Sequence, residues 1–295
     1  MGKSQRRFVD LHTHSTASDG TLSPEAIIEL ADRIKLAAVA LTDHDSAAGL
    51  SSARKAAIRF ERLAFVPGIE VSAQYPQGTM HILGYGIDEN SPTLSALLNV
   101  LRQARNERNP RIIANLKALG LPIDMEDVLR CAPQAHNSAP GELIIGRLHI
   151  AHAMVKKGLV VNVQEAFSRY LGTGGIAYVD KEKLKPAEVI SAIRSAGAIA
   201  VLAHPVHLNC RNRKQLEKIT RELMDYGLSG IEAYHCDHNS SLTRQYIELS
   251  HHLKLTIVGG SDFHGATKAD VRLGRPKVPL AVLGETLISK LASNP

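Results

Sequence analysis

The chain is poor in aromatic residues. It has no Trp, and aromatic residues make up 4% of its 295 residues. Proteins that bind single-stranded nucleic acids without sequence preference commonly stack the bases on rows of aromatic side chains. We therefore expect base stacking to have a minor part in the chemistry of this protein.

Cysteines and long apolar runs are also scarce. Cys131, Cys210 and Cys236 are too few and too scattered for a disulfide framework or a thiolate metal knot, which fits a reducing cytoplasm. No stretch approaches ~18 uninterrupted apolar residues, so no membrane-spanning helix is predicted. The basic first residues are not followed by the apolar core of a signal peptide. We expect a cytoplasmic protein with neither a membrane partner nor an obligate protein partner.

The composition that remains is that of an ordinary globular protein. Hydrophobic residues make up 44% of the chain and charged residues 22%. The formal net charge is +6, and a positive field raises the local concentration of anions. The charge therefore suits an anionic substrate.

Strand-like and helix-like segments alternate in the first and last thirds of the chain. Ser23 offers a helix N-cap, followed by Pro24 and an acidic first turn. Continuous apolar strands that alternate with helices predict a parallel sheet covered on both faces, and about seven strands favour a closed or nearly closed barrel. The predicted strands are 7–12, 37–42, 63–72, 80–86, 198–204, 230–234 and 255–259.

The middle of the chain breaks this alternation. From about residue 100 to 182 the pattern is nearly all helical, with breaks at 121–122, 139–141 and 172–175. We interpret residues 101–182 as a helical insertion that caps the active site. Residues 1–100 and 183–295 would then form the metal-binding barrel.

Six clusters of His, Asp and Glu follow or end the predicted strands. In α/β barrels the carboxyl ends of the strands share one mouth, where active sites gather. Clusters far apart in sequence are therefore expected to converge. They are Asp10–His14 with Asp19, Thr42–Asp45, Gly68–Ser72, Met80–Ile82, Ala203–Pro205 and Gly260–His264.

The residue types in these clusters indicate a divalent-metal site. Imidazole mixed with carboxylate suits manganese, iron, zinc or magnesium, whereas structural zinc sites favour thiolates. His12 and His14 are alternate residues of an extended segment, so both imidazoles point to one side. Asp262 and His264 repeat this spacing.

The motifs HTH…SDG, TDHD, PGIE, MHILGY, AHP and GSDFH closely resemble those of the PHP (polymerase and histidinol phosphatase) superfamily. The insertion is similar to that of a bacterial subgroup with nucleoside 3′,5′-bisphosphate phosphatases and a 5′-to-3′ exoribonuclease, ribonuclease AM. The resemblance implies an α/β fold, a distorted (β/α)7 barrel, with two to three divalent ions. Manganese is the first choice among these, and iron, zinc or magnesium are alternatives. The implied ligands are His12, His14, Asp19, His44, Glu70, His81, His204, Asp262 and His264.

The same resemblance makes Glu70 a carboxylate that bridges two metals and Glu70, Asp262 and His264 the predicted catalytic residues. The implied reaction is attack on phosphorus by a hydroxide held between two metals. Asp43 and Asp45 are predicted to orient ligand imidazoles.

Four further residues are predicted to contact substrate. Arg147 and His149 begin a helical stretch, and the equivalent residues of the subgroup face the substrate; the alternative is a surface pair. His207 and His235 follow strand ends and could protonate a leaving group.

A row of arginines lies along one predicted helix of the middle region. They recur every three residues, and we interpret the row mainly as a solvated helix face interrupted by Pro110. The arginines are Arg102, Arg105, Arg108 and Arg111.

The leading functional hypothesis is a metal-dependent phosphoesterase acting on small phosphorylated nucleotides. It would remove the 3′-phosphate of nucleoside 3′,5′-bisphosphates, or degrade short 5′-phosphorylated RNA from its 5′ end. The alternatives are a phosphatase of histidinol phosphate or another small molecule, an amidohydrolase-type C–N or C–O hydrolase, and a non-catalytic regulator that binds nucleotides or RNA. Amidohydrolase sites commonly contain a carbamylated lysine. No lysine is evident at the end of a predicted strand, which argues against this alternative.

Overall fold

The computed structural model of the chain describes residues 7–132, 145–180 and 183–293. These ranges contain eight β-strands: β1 (Phe8–Asp10), β2 (Ala38–Leu41), β3 (Ala64–Ala73), β4 (Met80–Tyr85), β5 (Ile199–Leu202), β6 (Gly230–Tyr234), β7 (Thr256–Gly259) and β8 (Val278–Pro279). The helices of the first half are α1 (Pro24–Arg33), α2 (Leu50–Ala57), α3 (Pro92–Ala118), α4 (Met125–Leu129), α5 (Arg147–Lys156) and α6 (Val163–Ala166). Those of the second half are α7 (Pro186–Ser195), α8 (Arg213–Asp225), α9 (Ser240–Leu253), α10 (Leu280–Leu283) and α11 (Glu285–Ala292).

The strands form one sheet in the order β7-β6-β5-β4-β3-β2-β1-β8. The prediction of an all-parallel sheet is wrong at two strands. β4 is antiparallel to both β3 and β5, and the short β8, which the sequence patterns missed, is antiparallel to β1. The predicted α/β fold, a distorted barrel, is confirmed.

The barrel is nearly closed by contacts between the carboxyl ends of β1 and β7. The Leu11 N–H donates to the Gly259 carbonyl over 3.1 Å, and the His14 N–H donates to the Phe263 carbonyl over 2.8 Å. Gly260 permits this approach, because a Cβ there would lie 2.3 Å from the backbone nitrogen of His12. The GSDFH and HTH motifs thus meet at one seam.

The length of β3 explains how an antiparallel strand enters the site. Its first four residues pair with β2, and residues 68–73 form a hairpin with β4 that extends beyond β2. Because β4 runs back toward the barrel, its amino-terminal end lies at the mouth where the parallel strands end. Ser72 is opposite His81 in this pairing.

Both faces of the barrel strands are buried, which accounts for their continuous apolar sequences. Ala38 and Ala40 of β2 belong to the cluster inside the barrel. Val39 and Leu41 belong to the cluster beneath the surrounding helices. This alternation follows from the two-residue period of a strand. The predicted cap of α1 is confirmed, since the Ser23 side chain accepts a hydrogen bond from the Ala26 N–H.

The middle region has a hydrophobic cluster of its own, with members from Ile112 to Val179. The helix α3 continues through Pro110 to Ala118, so the predicted interruption there is wrong. The break predicted at 139–141 lies outside the described residues. No helix in the described ranges is both long and apolar enough to cross a membrane.

Candidate metal centre

Six strands and the segments that follow them bring all nine predicted ligands to one mouth of the barrel. His12 and His14 follow β1, His44 follows β2 and His204 follows β5. Asp262 and His264 follow β7. His81 differs from expectation, because it is the second residue of β4 rather than at its carboxyl end. It reaches the site because β4 is antiparallel to its neighbours.

Glu70 lies at the centre of this cluster and is 1% exposed. Burial alone would raise the pKa of its carboxyl, but the His44 and His81 imidazoles hold this pKa well below its usual range. Glu70 is therefore a negatively charged carboxylate, and it is surrounded by imidazoles. The carboxylate oxygens lie 2.7 to 3.3 Å from nitrogens of His12, His14, His44, His81 and His204.

Two further carboxylates complete the cluster. The Asp262 Oδ1 lies 3.2 Å from His14 Nε2, and the Asp19 Oδ1 lies 3.3 Å from His264 Nε2. His14, Asp19, His44 and His264 each offer one ligand atom within 4.8 Å of the others. Two other such groups share Glu70. One contains His12 and His14, and the other contains His44 and His81.

The nitrogen and oxygen atoms of the cluster are arranged to bind cations rather than to form hydrogen bonds with one another. His44 Nδ1 lies 2.9 Å from Glu70 Oε2, yet both atoms are buried and neither makes a well-aligned hydrogen bond. The same holds for His12 Nε2 and for both ring nitrogens of His14. Buried polar atoms without partners are costly, and here they converge on shared points. A divalent ion bound by nitrogen and carboxylate oxygen would satisfy them.

The backbone at the mouth is strained at three positions, of which His204 and Asp262 belong to the predicted ligands. Asp45, His204 and Asp262 have positive φ values of 51°, 23° and 55°. Non-glycine residues adopt such conformations at a cost of about 1–3 kcal/mol, typically at functional sites.

Glu232 is a central residue that the sequence patterns did not identify. It is fully buried on β6, where Oε1 lies 2.8 Å from His12 Nδ1 and Oε2 accepts a hydrogen bond from the His204 N–H. Burial would raise the pKa of this carboxyl, but the adjacent His12 lowers it to about 2. Glu232 thus directs His12 Nε2 toward the cluster. A charged residue inside the apolar strand Gly230–Tyr234 was the signal that could have revealed it.

Substitution of Glu232 by Gln should weaken metal binding 10- to 100-fold, the usual effect of losing a partner that orients a ligand imidazole. The Gln side chain keeps the shape of Glu but has no negative charge. Its NH₂ group would face either His12 Nδ1 or the His204 N–H, and both of these act as donors to the carboxylate. Metal titration followed by elemental analysis would measure the change. Glu248→Gln, at an exposed position of α9, is the control. Equal metal affinity in both variants would refute the orienting role.

Two other buried carboxylates organise the loops. Asp10 accepts hydrogen bonds from the backbone N–H groups of Ser261 and Gly274, which ties β1 to the loops after β7. Asp43 accepts from the backbone and hydroxyl of Ser15 and from the hydroxyl of Ser18. Asp43 therefore holds the loop that carries Asp19, which differs from the predicted contact with an imidazole.

The interpretation of the arginine row as a solvated face is wrong for two of its members. Arg105 and Arg108 are 9% and 4% exposed. Arg105 forms a buried ion pair with Asp45. Burial, with the nearby charge of Arg105, lowers the pKa of Arg108 to about 9. The guanidinium of Arg108 donates to the side-chain amide oxygen of Asn109, which is a neutral acceptor.

Arg147 and Arg108 line one small cavity of about 70 Å³ beside His81. Arg147 donates to the Leu171 carbonyl over 2.9 Å and lies 5.3 Å from the centre of the Tyr178 ring. Burial lowers the pKa of Arg147. We call this cavity the basic pocket. Its charged or hydroxyl-bearing walls include Arg108, Arg147, Lys183, Asp180, Thr173 and Tyr178.

The other predicted substrate contacts lie elsewhere. His149 is buried, and its Nδ1 accepts a hydrogen bond from the Gly146 N–H; it lines a second pocket beside Asp19. His207 is half-exposed and lies 2.9 Å from Asp237. His235 is buried with Nε2 3.4 Å from Asp262 Oδ2, and it groups with His12 and Asp262 as a possible metal ligand.

Comparison with known proteins agrees with this geometry. Residues 10–226 match the PHP domain family. This protein belongs to the PHP domain family. A 3′,5′-nucleoside bisphosphate phosphatase of Chromobacterium violaceum is 33% identical over 87% of both chains. A 5′-3′ exoribonuclease of Haemophilus influenzae is also 33% identical, over 86% of this chain and 89% of its own.

A solved structure of a proposed metal-dependent phosphoesterase from Bifidobacterium adolescentis superposes with a TM-score of 0.85. It is 28% identical and covers 98% of this chain and 97% of its own. This PHP domain protein is accordingly a phosphoric ester hydrolase, and its His and carboxylate clusters can bind metal. The alternative of a non-catalytic regulator is wrong.

Proposed function

We propose that this PHP domain enzyme hydrolyses the 3′-phosphoester of nucleotides that carry a 5′-phosphate. The observation that carries the proposal is the basic pocket beside His81, at the edge of the ligand cluster. Its walls present three cationic side chains and one carboxylate, and Asp180 lies 3.7 Å from Lys183. A second phosphate of the same substrate is the anion that this surplus of positive charge suits.

The reacting phosphate would lie at the cluster around Glu70. Two to three divalent cations, manganese first, would be held there by the nine predicted ligands, with His235 as a further donor. Such cations supply Lewis acidity and lower the pKa of water. Glu232 keeps the His12 imidazole in position, and Glu70 and Asp262 supply the negative charge that balances the cations.

The protein's own groups would then bind and orient the nucleotide. Arg147 is held by Leu171 and Tyr178, so little conformational freedom is lost when its guanidinium meets a phosphate. His207 lies at the exposed rim with its ring 4.5 Å from that of His204, and it is the proposed donor of a proton to the leaving 3′-oxygen.

The names of the relatives support two forms of this activity, phosphatase on bisphosphates and exoribonuclease on RNA. Both forms require a 5′-phosphate anchor and a 3′-phosphoester at the metals. Histidinol phosphate has a single phosphate, which would leave the basic pocket without an anion. It is therefore the weaker candidate substrate.

The test supplies three substrates in parallel to manganese-loaded protein: adenosine 3′,5′-bisphosphate, a 5′-phosphorylated RNA trinucleotide and histidinol phosphate. We expect AMP with inorganic phosphate from the first and mononucleotides from the second. Histidinol phosphate should react roughly 10- to 100-fold more slowly, because it lacks the charge-assisted contacts of the second phosphate. Faster turnover of histidinol phosphate than of either nucleotide would overturn the proposal. Protein stripped by a chelator is the control.

A further inference from the structure

A second and larger pocket opens beside Asp19, with a volume of about 440 Å³. We propose that it binds the second nucleoside of a 5′-phosphorylated oligoribonucleotide, the one on the 3′ side of the phosphate that is cleaved. The inference rests on the proposed function and assigns a binding site to the part of an oligonucleotide that lies beyond the cleaved phosphate. We call this cavity the second-nucleoside pocket; its walls include Asp19, Thr21, Cys131, His152, Val155 and Lys156.

The two pockets touch different parts of the ligand cluster. The basic pocket includes His81, which groups with His44 and Glu70. The second-nucleoside pocket includes Asp19, which groups with His14, His44 and His264. A chain whose 5′-phosphate occupies the first pocket and whose 3′-phosphoester reaches the cluster would therefore continue into the second. A bisphosphate ends at the cluster and has no group to place there.

The size and walls of the second-nucleoside pocket suit a nucleoside. Ligand pockets for small molecules span roughly 300–1,000 Å³ and combine apolar walls with a few polar groups. Val155 supplies an apolar side chain. His152 Nε2 is buried and has no hydrogen-bond partner within the described part of the chain. That nitrogen is available for a base edge or a ribose hydroxyl.

The rim of the pocket carries a cation that suits the next phosphate of the chain. Lys156 is exposed and has no carboxylate partner among residues 7–132, 145–180 and 183–293. Arg130, also at the rim, is already paired with Glu126 and Asp127. Lys156 is thus the side chain that can meet the phosphate after the second nucleoside. That phosphate exists in a trinucleotide but not in a dinucleotide with a free 3′-hydroxyl.

The reaction in this arrangement is a hydrolysis. The oxygen of water forms a bond to phosphorus, the bond from phosphorus to the 3′-oxygen of the first nucleotide breaks, and that oxygen takes a proton. A nucleoside 5′-monophosphate leaves, and the phosphate stays on the 5′-oxygen of the second nucleoside. The shortened chain therefore again carries a 5′-phosphate and can re-enter the basic pocket.

Two variants test the assignment with adenosine 3′,5′-bisphosphate and with 5′-phosphorylated di- and triadenylate. Val155→Trp would place a bulky ring in the pocket, obstruct it, and should lower kcat/KM at least about tenfold for both oligonucleotides. Lys156→Glu should lower it roughly tenfold for the trinucleotide alone, as expected when a charge-assisted contact is lost. Bisphosphate hydrolysis should change less than twofold in both. Lys55→Glu is the matched control, since Lys55 is likewise exposed in the last turn of a helix.

The outcomes separate this inference from the proposed function. Equal losses on the bisphosphate and the oligonucleotides would show that the pocket holds the first base or supports the fold, and would overturn the assignment. Unchanged oligonucleotide hydrolysis in both variants would also overturn it. If the wild-type enzyme cleaves neither the bisphosphate nor the oligonucleotides, the proposed function itself fails.

Discussion

Replacing Glu70 by Gln should lower kcat for adenosine 3′,5′-bisphosphate roughly 1,000-fold or more, since metal ions contribute several kcal/mol of transition-state stabilisation. Glu70 lies within 3.3 Å of nitrogens from five histidines, so it contacts more of the cluster than any other described residue. The amide keeps the volume but removes a buried negative charge. Divalent cations among neutral imidazoles would then lose the carboxylate that balances them.

The measurement combines steady-state kinetics with the metal content of the purified variant. We expect less than half of the wild-type metal to remain bound. Glu61→Gln removes a carboxylate at an exposed position away from the site and should behave as wild type. A Glu70→Gln enzyme with full metal content and near-wild-type kcat would show that the cluster is not the catalytic centre.

Replacing Arg147 by Gln should discriminate between substrates by their 5′-phosphate. We expect kcat/KM for adenosine 3′,5′-bisphosphate to fall roughly 10- to 100-fold, since charge-assisted contacts to phosphate contribute about 1.5–3 kcal/mol. Adenosine 3′-monophosphate has no group for the basic pocket, so its kcat/KM should be nearly unchanged. The loss should appear mainly in KM, because the anchored phosphate does not react.

The control for this experiment is Arg169→Gln. Arg169 lies in the same region and its guanidinium is 5.0 Å from the Tyr170 ring, but it is exposed and pairs with Glu165. Its removal should affect neither substrate. Equal losses on both adenosine nucleotides in Arg147→Gln would show that Arg147 supports the site rather than binding the 5′-phosphate.

The sequence predicted that His and carboxylate residues would gather at one mouth of the barrel, because the geometry behind that prediction is local; the ligand role of the nine residues, which the family resemblance implies, stays a prediction. A His-x-His pair on an extended segment presents both rings to one side, and strand ends share one mouth. The structure accordingly brings His12, His14 and Asp262 into contact distance. It does not test the insertion boundaries of 101 and 182, which stay a prediction.

The residues that sequence patterns misjudged depend on contacts between distant segments. Glu232 and His12 are 220 residues apart, and Arg105 and Asp45 are 60 apart. A helical row of arginines looks the same in sequence whether it faces solvent or a carboxylate. The burial of Arg105 and Arg108 follows only from the way α3 lies over the barrel mouth.

The sequence by itself determined the alternation of strands and helices, the grouping of His and carboxylate residues that can bind metal, and the family, because periodicity and short motifs record the geometry of single elements. Only the tertiary structure decided the direction of β4, the orienting role of Glu232 and the separation of Arg147 and His149 into two pockets. Strand direction and side-chain partners depend on which segments pack together, and that choice is made by the whole chain.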